Sequence, residues 1–378
     1  MDSKFVIDRR TGLKLLSGGA LAATGLGSLP AFGQPAPEVI TITDQLIDAA
    51  KKEGQVYYRF SALQQPSEAI AAAFKAKYGI EVTPERRVAA QGTNAFATEE
   101  RAGRHIVDVH GNSDRKGYID LSKEGLYARF KVANDGDFDP RNTMPGFGYA
   151  PYLSVSILAY NTARLASADA ERLFNRTWKG LLDPRFKGGR IGILSPFITS
   201  ATSLWYWALS ESPAYGEKFL QAVAAQDPVI YPDQAVGEEA VFAGEVDMLI
   251  GAVFEPVEAA LVRGAKMAWI YPDILPATRA VMHFISAKAP HPNAARLFMA
   301  WMLSVEGQTT ISRDIGRYTT TKVRVPRPPA VQDLLQKSTW YKPYPPEVTF
   351  TPSIDEIVER EDGYRRKMAE LFKISVRR

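Results

Sequence analysis

The chain has 378 residues, too many for one ordinary core, so two domains are expected. A hydrophobic content of 46% excludes a disordered chain, and a formal charge of only +4 with no basic cluster among aromatics excludes a nucleic-acid binder. There is no cysteine, which excludes disulfides, cysteine-ligated metal and cysteine nucleophiles.

Residues 1–33 read as an export signal. Lys4, Arg9, Arg10 and Lys14 outweigh Asp2 and Asp8, so half of the charge excess lies here. The apolar run Leu15–Leu29 follows, and Ala31-Phe32-Gly33 offers the small residues a signal peptidase reads. Asp8-Arg9-Arg10-Thr11-Gly12-Leu13-Lys14 resembles the twin-arginine motif. No later segment is apolar enough to span a bilayer, so the mature chain is expected not to be membrane-embedded.

The next stretch alternates helix and strand. Thr43–Lys52 is an amphipathic helix closed by Gly54, and Gln55–Phe60 is a strand. Ser61–Pro66 is its exit loop, and Ser67 is expected to cap the helix Glu68–Tyr78. Ile80–Val88 is a second strand. Gln91-Gly92-Thr93-Asn94 reads as a polar loop, with Thr93 capping the helix that runs to Ala102. His105–Val109 is a third strand, leaving Asn112 and Ser113 just beyond it. Such alternation implies a parallel sheet, with polar exit loops along one edge.

Tyr152–Tyr160 fits a first crossover into a second lobe. That lobe holds strands at Arg190–Leu194, Val229–Tyr231, Asp247–Val253 and Met267–Tyr271. Ser195, Thr199 and Ser200 precede the helix Ala201–Ser210, whose Trp205–Trp207 read as core. Met248–Val253 is short and apolar enough for a buried strand, and Pro256 fits the first turn of the helix after it. Phe254-Glu255 therefore sits at a strand's carboxyl end, the edge where open α/β sheets bind ligands. Ala280–Ala287 fits a second crossover back, followed by the helix Pro292–Leu303. Val325–Pro329 and Lys342–Pro346 read as extended chain, and Ile354–Phe372 as a charged helix docked on the first lobe.

Three segments carry a family resemblance. AVFAGEVDMLIGAVFEPVEAALVRGA around Glu255, HPNAARLFMAWMLSVEGQ from His291 and WKGLLDPRFKGGRIGILSP from Trp178 resemble periplasmic substrate-binding proteins of ABC importers. The branch is that of the ferric-iron-binding proteins. The resemblance implies a two-lobed α/β type II periplasmic binding protein. Each lobe is then a mixed, mostly parallel sheet flanked by helices, with a ligand cleft between the lobes. Lobe 1 is expected over residues 34–153 plus 281–378 and lobe 2 over 154–280. Ferric-binding members use two adjacent tyrosines, which fall here on Phe254-Glu255. Their histidine falls near Ala62 and their glutamate near Ser113. A hard ferric ion needs such donors, so no metal is expected.

No nucleophile elbow, phosphate loop or His-Glu-x-x-His motif occurs, and His105, His110, His283 and His291 have no metal-ligand spacing. Catalysis and a cofactor are therefore not expected. Ligand capture is, because helix N-termini with hydroxyl side chains suit phosphate or carboxylate. The candidate ligand-binding residues are Ser61, Thr93, Asn94, Asn112, Ser113, Ser195, Thr199, Ser200, Phe254 and Glu255, with Glu255 available for an ammonium group. The expected protein is a periplasmic monomer that passes a small anionic or zwitterionic solute to an inner-membrane ABC permease. The alternatives are a carrier of ferric or another metal ion through non-tyrosine ligands, and a periplasmic enzyme or sensor partner on the same fold.

Overall fold

A computed structural model describes residues 36–62, 64–154, 156–198, 200–274, 279–337 and 354–374. The expected signal, Lys342–Pro346 and Thr199 lie outside them.

After β1 (Glu38–Ile40) and α1 (Asp44–Glu53), strand and helix alternate through β2 (Gln55–Phe60), α2 (Gln64–Tyr78), β3 (Glu81–Arg86), α3 (Ala89–Arg101), β4 (Val109–Asn112) and α4 (Arg115–Lys123). The short strands β5 (Phe130–Val132), β6 (Thr143–Met144) and β7 (Gly148–Tyr149) follow. The chain leaves through β8 (Tyr152–Ser154) and β9 (Ser156–Asn161). It continues through α5 (Ser167–Phe174), β10 (Ile191–Leu194), α6 (Ser200–Glu211), α7 (Gly216–Ala224), β11 (Val229–Tyr231), α8 (Gln234–Ala243), β12 (Met248–Val253), α9 (Phe254–Val262) and β13 (Met267–Ile270). It returns by β14 (Arg279–Ala280) and β15 (Met282–Ile285) into α10 (Pro292–Leu303) and α11 (Val305–Thr309). It ends with β16 (Tyr318–Thr319), α12 (Pro329–Lys337) and α13 (Ile354–Leu371).

Two mixed sheets result. The first has the order β3-β2-β4-β15-β7-β6, with β2 parallel to β3 and β4 and with β15 antiparallel to β4 and β7. The second has the order β11-β10-β12-β9-β13, with β10 parallel to β11 and β12 and with β9 antiparallel to β12 and β13. Each is covered on both faces, which is why β12 is apolar throughout and wholly buried. Its alternate residues divide between two cores. Met248 and Ile250 join Trp205 and Trp207 of α6, whereas Leu249 joins Val241 of α8 and Val257 of α9.

A third, small sheet, β14-β8-β16, gathers three passages between these layers. Leu153 of β8 pairs with both Ala280 and Tyr318. β8 links β7 of the first sheet to β9 of the second, and β14 links β13 back to β15. β16 leads from the core that holds Ile311 to α12, whose Val331 packs with Phe254 and Val257.

Several expectations need correction. The third strand is Val109–Asn112, not His105–Val109, because Asp108 turns inward and its carboxylate accepts the Tyr57 N–H at 2.7 Å. α2 starts at Gln64, so Ser67 lies inside the helix, buried, and is no cap. Pro329–Lys337 is a helix just beyond the Pro-rich run. α13 does not belong with the first sheet alone. Tyr364, Met368 and Phe372 share the α6 core, although the helix also lies against α4.

Candidate functional site

The exit edge of the first sheet is closed by polar pairs. Ser61 follows β2 and Ser113 follows β4. Their hydroxyls are 3.2 Å apart, and the Ser113 N–H donates to Ser61 Oγ at 3.0 Å. Asn112 is fully buried at the end of β4. Its Nδ2 contacts Ala89 O and Thr93 Oγ1, each at 3.0 Å, and its Oδ1 accepts the Asp114 N–H at 2.8 Å. Asn112 therefore ties the first turn of α3 to the sheet.

This arrangement corrects the role expected for Thr93. The helix begins at Ala89 with Val88 as its cap residue, so Gln91–Asn94 is helical. The Thr93 hydroxyl donates back to Ala89 O at 3.1 Å, as mid-helix threonines do. Asn94 is exposed on the same helix. Glycine and Asn suggested a loop, but Gly92 faces Arg87 and Asn112, with room for only an ordinary contact.

Behind this edge lie two buried histidines. His110 meets Tyr127 Oη at 2.6 Å and stacks on Phe96. His283 donates from Nδ1 to Val281 O, which leaves Nε2 to accept the Tyr58 hydroxyl at 2.7 Å. Burial pushes His110 down to about 3, helped by the Arg59 charge, and burial pushes His283 down to about 4. Both are neutral core groups.

On the second sheet, Ser195 is mostly buried. Its N–H donates to Tyr231 O at 2.9 Å, and its hydroxyl accepts the Phe197 N–H at 3.4 Å. Ser200 opens α6. β12 carries a bulge, since its register with β9 shifts between Ile250 and Ala252 around Gly251 at φ +84°. Phe254 is fully buried, with its ring edge-on to Trp269 and Tyr318 at 4.7 Å.

Glu255 is different. It lies in the first turn of α9, and Arg317 Nη1 stands 3.3 Å from its Oε1. The cation it meets thus belongs to its own chain. One turn on, Glu258 pairs with Arg327 Nη2 at 2.5 Å. All four side chains are nearly fully buried. Arg317 lies over the Tyr152 ring at 4.9 Å, and Arg327 lies over Tyr318 at 4.3 Å. A cavity of about 600 Å³ runs from Gln64 and Gln65 at the start of α2, past Glu255 and Arg317, and along α9 to Arg263. That size suits a small organic molecule.

The structure thus joins Ser61 to Ser113, Thr93 to Asn112, and Glu255 to a residue that sequence reasoning missed. Arg317 has no local signal. It follows Gly316 in a segment without periodicity, and only the third passage brings it to α9. Among the described residues no three His, Asp or Glu side chains converge on a metal position.

Residues 60–309 match the family of bacterial extracellular solute-binding proteins. The chain belongs to that family. Among curated proteins none matches. Solved structures share the fold of this solute-binding protein. Iron-bound HitA of Pseudomonas aeruginosa is 19% identical, with a TM-score of 0.65 over 83% of this chain and 99% of its own. The apo ferric ion-binding protein A of Pasteurella haemolytica is 13% identical, with a TM-score of 0.64 over 85% and 98%. AfuA of Actinobacillus pleuropneumoniae, with fructose-6-phosphate bound, is 19% identical, with a TM-score of 0.59 over 85% and 99%. The two-lobed expectation holds, and the family is one of transport proteins.

Proposed function

We propose that this protein captures a small anionic or zwitterionic organic solute and delivers it to an ABC permease in the inner membrane. The Glu255–Arg317 cavity is the observation that carries this reading. It combines buried charge of both signs with the apolar wall of α9, as a charged organic solute requires. The same fold holds iron in HitA and fructose-6-phosphate in AfuA. Phe254 lacks the oxygen that iron requires, which favours the organic class.

The lobes divide at the β14-β8-β16 sheet, and closure turns them about those three passages, with bound solute favouring the closed state. Ser61 and Ser113 stand at the exit edge with hydroxyls to offer the solute. The mature chain works as a periplasmic monomer without a catalytic step. Its export signal is of the twin-arginine type. Native mass spectrometry of protein isolated from the periplasm tests the assignment. The expected finding is a bound organic molecule of small mass. Protein isolated with iron instead, or with nothing from any growth medium, overturns it.

A further inference from the structure

α13 joins the layers of both large sheets. Tyr364, Met368 and Phe372 enter the core that α6 shares with Met248 and Ile250 of β12. Tyr364 stacks on Trp207, and Arg360 pairs with Glu211 at the end of α6. Glu361, Arg365 and Ala369 recur every four residues and form a second stripe on the helix. Glu361 pairs with Arg365 at 2.8 Å, and Ala369 is buried without joining the α6 core. α4 packs on α13 as well, and this stripe is the one that the α6 core leaves for it.

This bridge stands apart from the β14-β8-β16 sheet. In the second sheet Met248 and Ile250 face α6, whereas Leu249 shares the opposite core with Tyr318 of β16. In the first sheet Phe284 shares a core with Tyr118 and Ile119 of α4, whereas Ile285 shares the opposite core with Tyr152 of β8. The joining strands therefore lie on one face of both sheets, and α13 lies on the other. Rotation about the passages moves α4 relative to α6, and a rigid helix stays packed on only one of them. Three large side chains fix α13 to α6, so α4 is the side that lets go.

Resting on the closure reading above, we propose that α13 is a latch, anchored on α6 and released from α4 when the lobes open. Its hold on α4 sets how much of the protein is closed before solute arrives. A larger closed population tightens apparent binding without any new contact to the solute.

Spin-label distances between introduced cysteines in the mature chain test this, because the chain has no cysteine of its own. Arg104→Cys with Lys187→Cys reads the lobes, from exposed sites that precede β4 and β10. Lys123→Cys with Glu370→Cys reads α4 against α13, and Lys218→Cys with Glu370→Cys reads α7, which packs on α6, against α13. The first two pairs are expected to show a short and a long distance in matching proportions, and the third a single distance. Ala369→Leu adds bulk on the α4 stripe and is expected to raise the long-to-short ratio of the first two pairs about fivefold. Melting temperatures control for folding, and if Ala369→Leu does not fold the three pairs in the unaltered background decide. A wild type held wholly short that opens only in Ala369→Leu also supports the latch. One α4–α13 distance beside two lobe distances, two α7–α13 distances, or an unaltered ratio in folded Ala369→Leu overturns the latch and leaves closure standing. A single lobe distance in both wild type and folded Ala369→Leu removes closure and the latch together.

Discussion

Asp108 accepts two hydrogen bonds from His291, one from the backbone N–H at 2.7 Å and one from ring Nδ1 at 2.9 Å. The Tyr57 N–H adds a third, and Asp108 is wholly buried. This one carboxylate holds the start of α10 against β2 and the entry to β4. Glu53 completes the cap by accepting the Ala294 N–H at 2.7 Å. Replacing Asp108 by Ala strands three donors in a buried site. A loss of about 3 kcal/mol or more is expected, read by denaturant unfolding. A loss below about 1 kcal/mol contradicts this account.

The buried histidines set an acid limit. The folded values of His110, about 3, and His283, about 4, both lie below the ordinary value of 6.5. Between those values the unfolded chain binds more protons than the folded one. Stability is therefore complete above about pH 6.5 and is lost as pH falls toward the folded values, by up to about 1.4 kcal/mol per pH unit for each histidine. Melting temperatures at pH 7.5, 6 and 5 are expected to fall in that order. A constant melting temperature across the range defeats the prediction.

Much of the fold was readable because its signals are local. Met248–Val253 is a continuous apolar run, and Thr43 and Gly54 punctuate α1 as expected, with the Leu46 N–H donating to Thr43 Oγ1 at 3.2 Å. Pro292–Leu303 and Val229–Tyr231 fall where periodicity puts them. Misplaced elements are those decided by tertiary bonds. Asn112 makes Gln91–Asn94 helical by holding the α3 start, and Asp108 delays β4. The site was legible only at Glu255, which a strand end marks. Arg317 and Arg327 come from a distant segment with neither pattern nor motif.

α13 is expected to stabilise the whole chain. Tyr364 stacks on Trp207 of α6 at 4.7 Å and 14°, and Arg360 Nη2 donates to Glu211 at 2.6 Å. Tyr364 is mostly buried, so Tyr364→Ala leaves a cavity in the α6 core and is expected to cost about 3 kcal/mol. Thermal or denaturant melts measure it. An unaltered midpoint shows that α13 is peripheral.

The export reading rests on Arg9-Arg10 within Asp8–Lys14. A twin-arginine signal is read by the pair itself rather than by charge alone. Arg9→Lys with Arg10→Lys is therefore expected to leave precursor in the cytoplasm, visible by fractionation. Normal export of the double variant assigns the general secretory route.

The last expectation concerns iron. Ferric-binding proteins are among the structural neighbours, yet the family resemblance puts their paired tyrosines on Phe254 and Glu255 of this sequence. Phe254 has no donor atom, and Trp269, Tyr271 and Tyr318 surround its ring. Burial, together with the Glu258 charge, holds the Tyr271 phenol well above its ordinary value. Raising a phenol's pKa works against the phenolate that ferric ion needs. The protein is therefore expected to show no tyrosinate-to-iron absorption band when mixed with ferric citrate. A visible band with tight iron binding restores the metal-carrier reading and removes the organic solute. Phe254→Tyr sharpens the test, because it returns one oxygen to the strand end. If the variant also stays colourless, a single phenol inside this aromatic packing is insufficient to make an iron site.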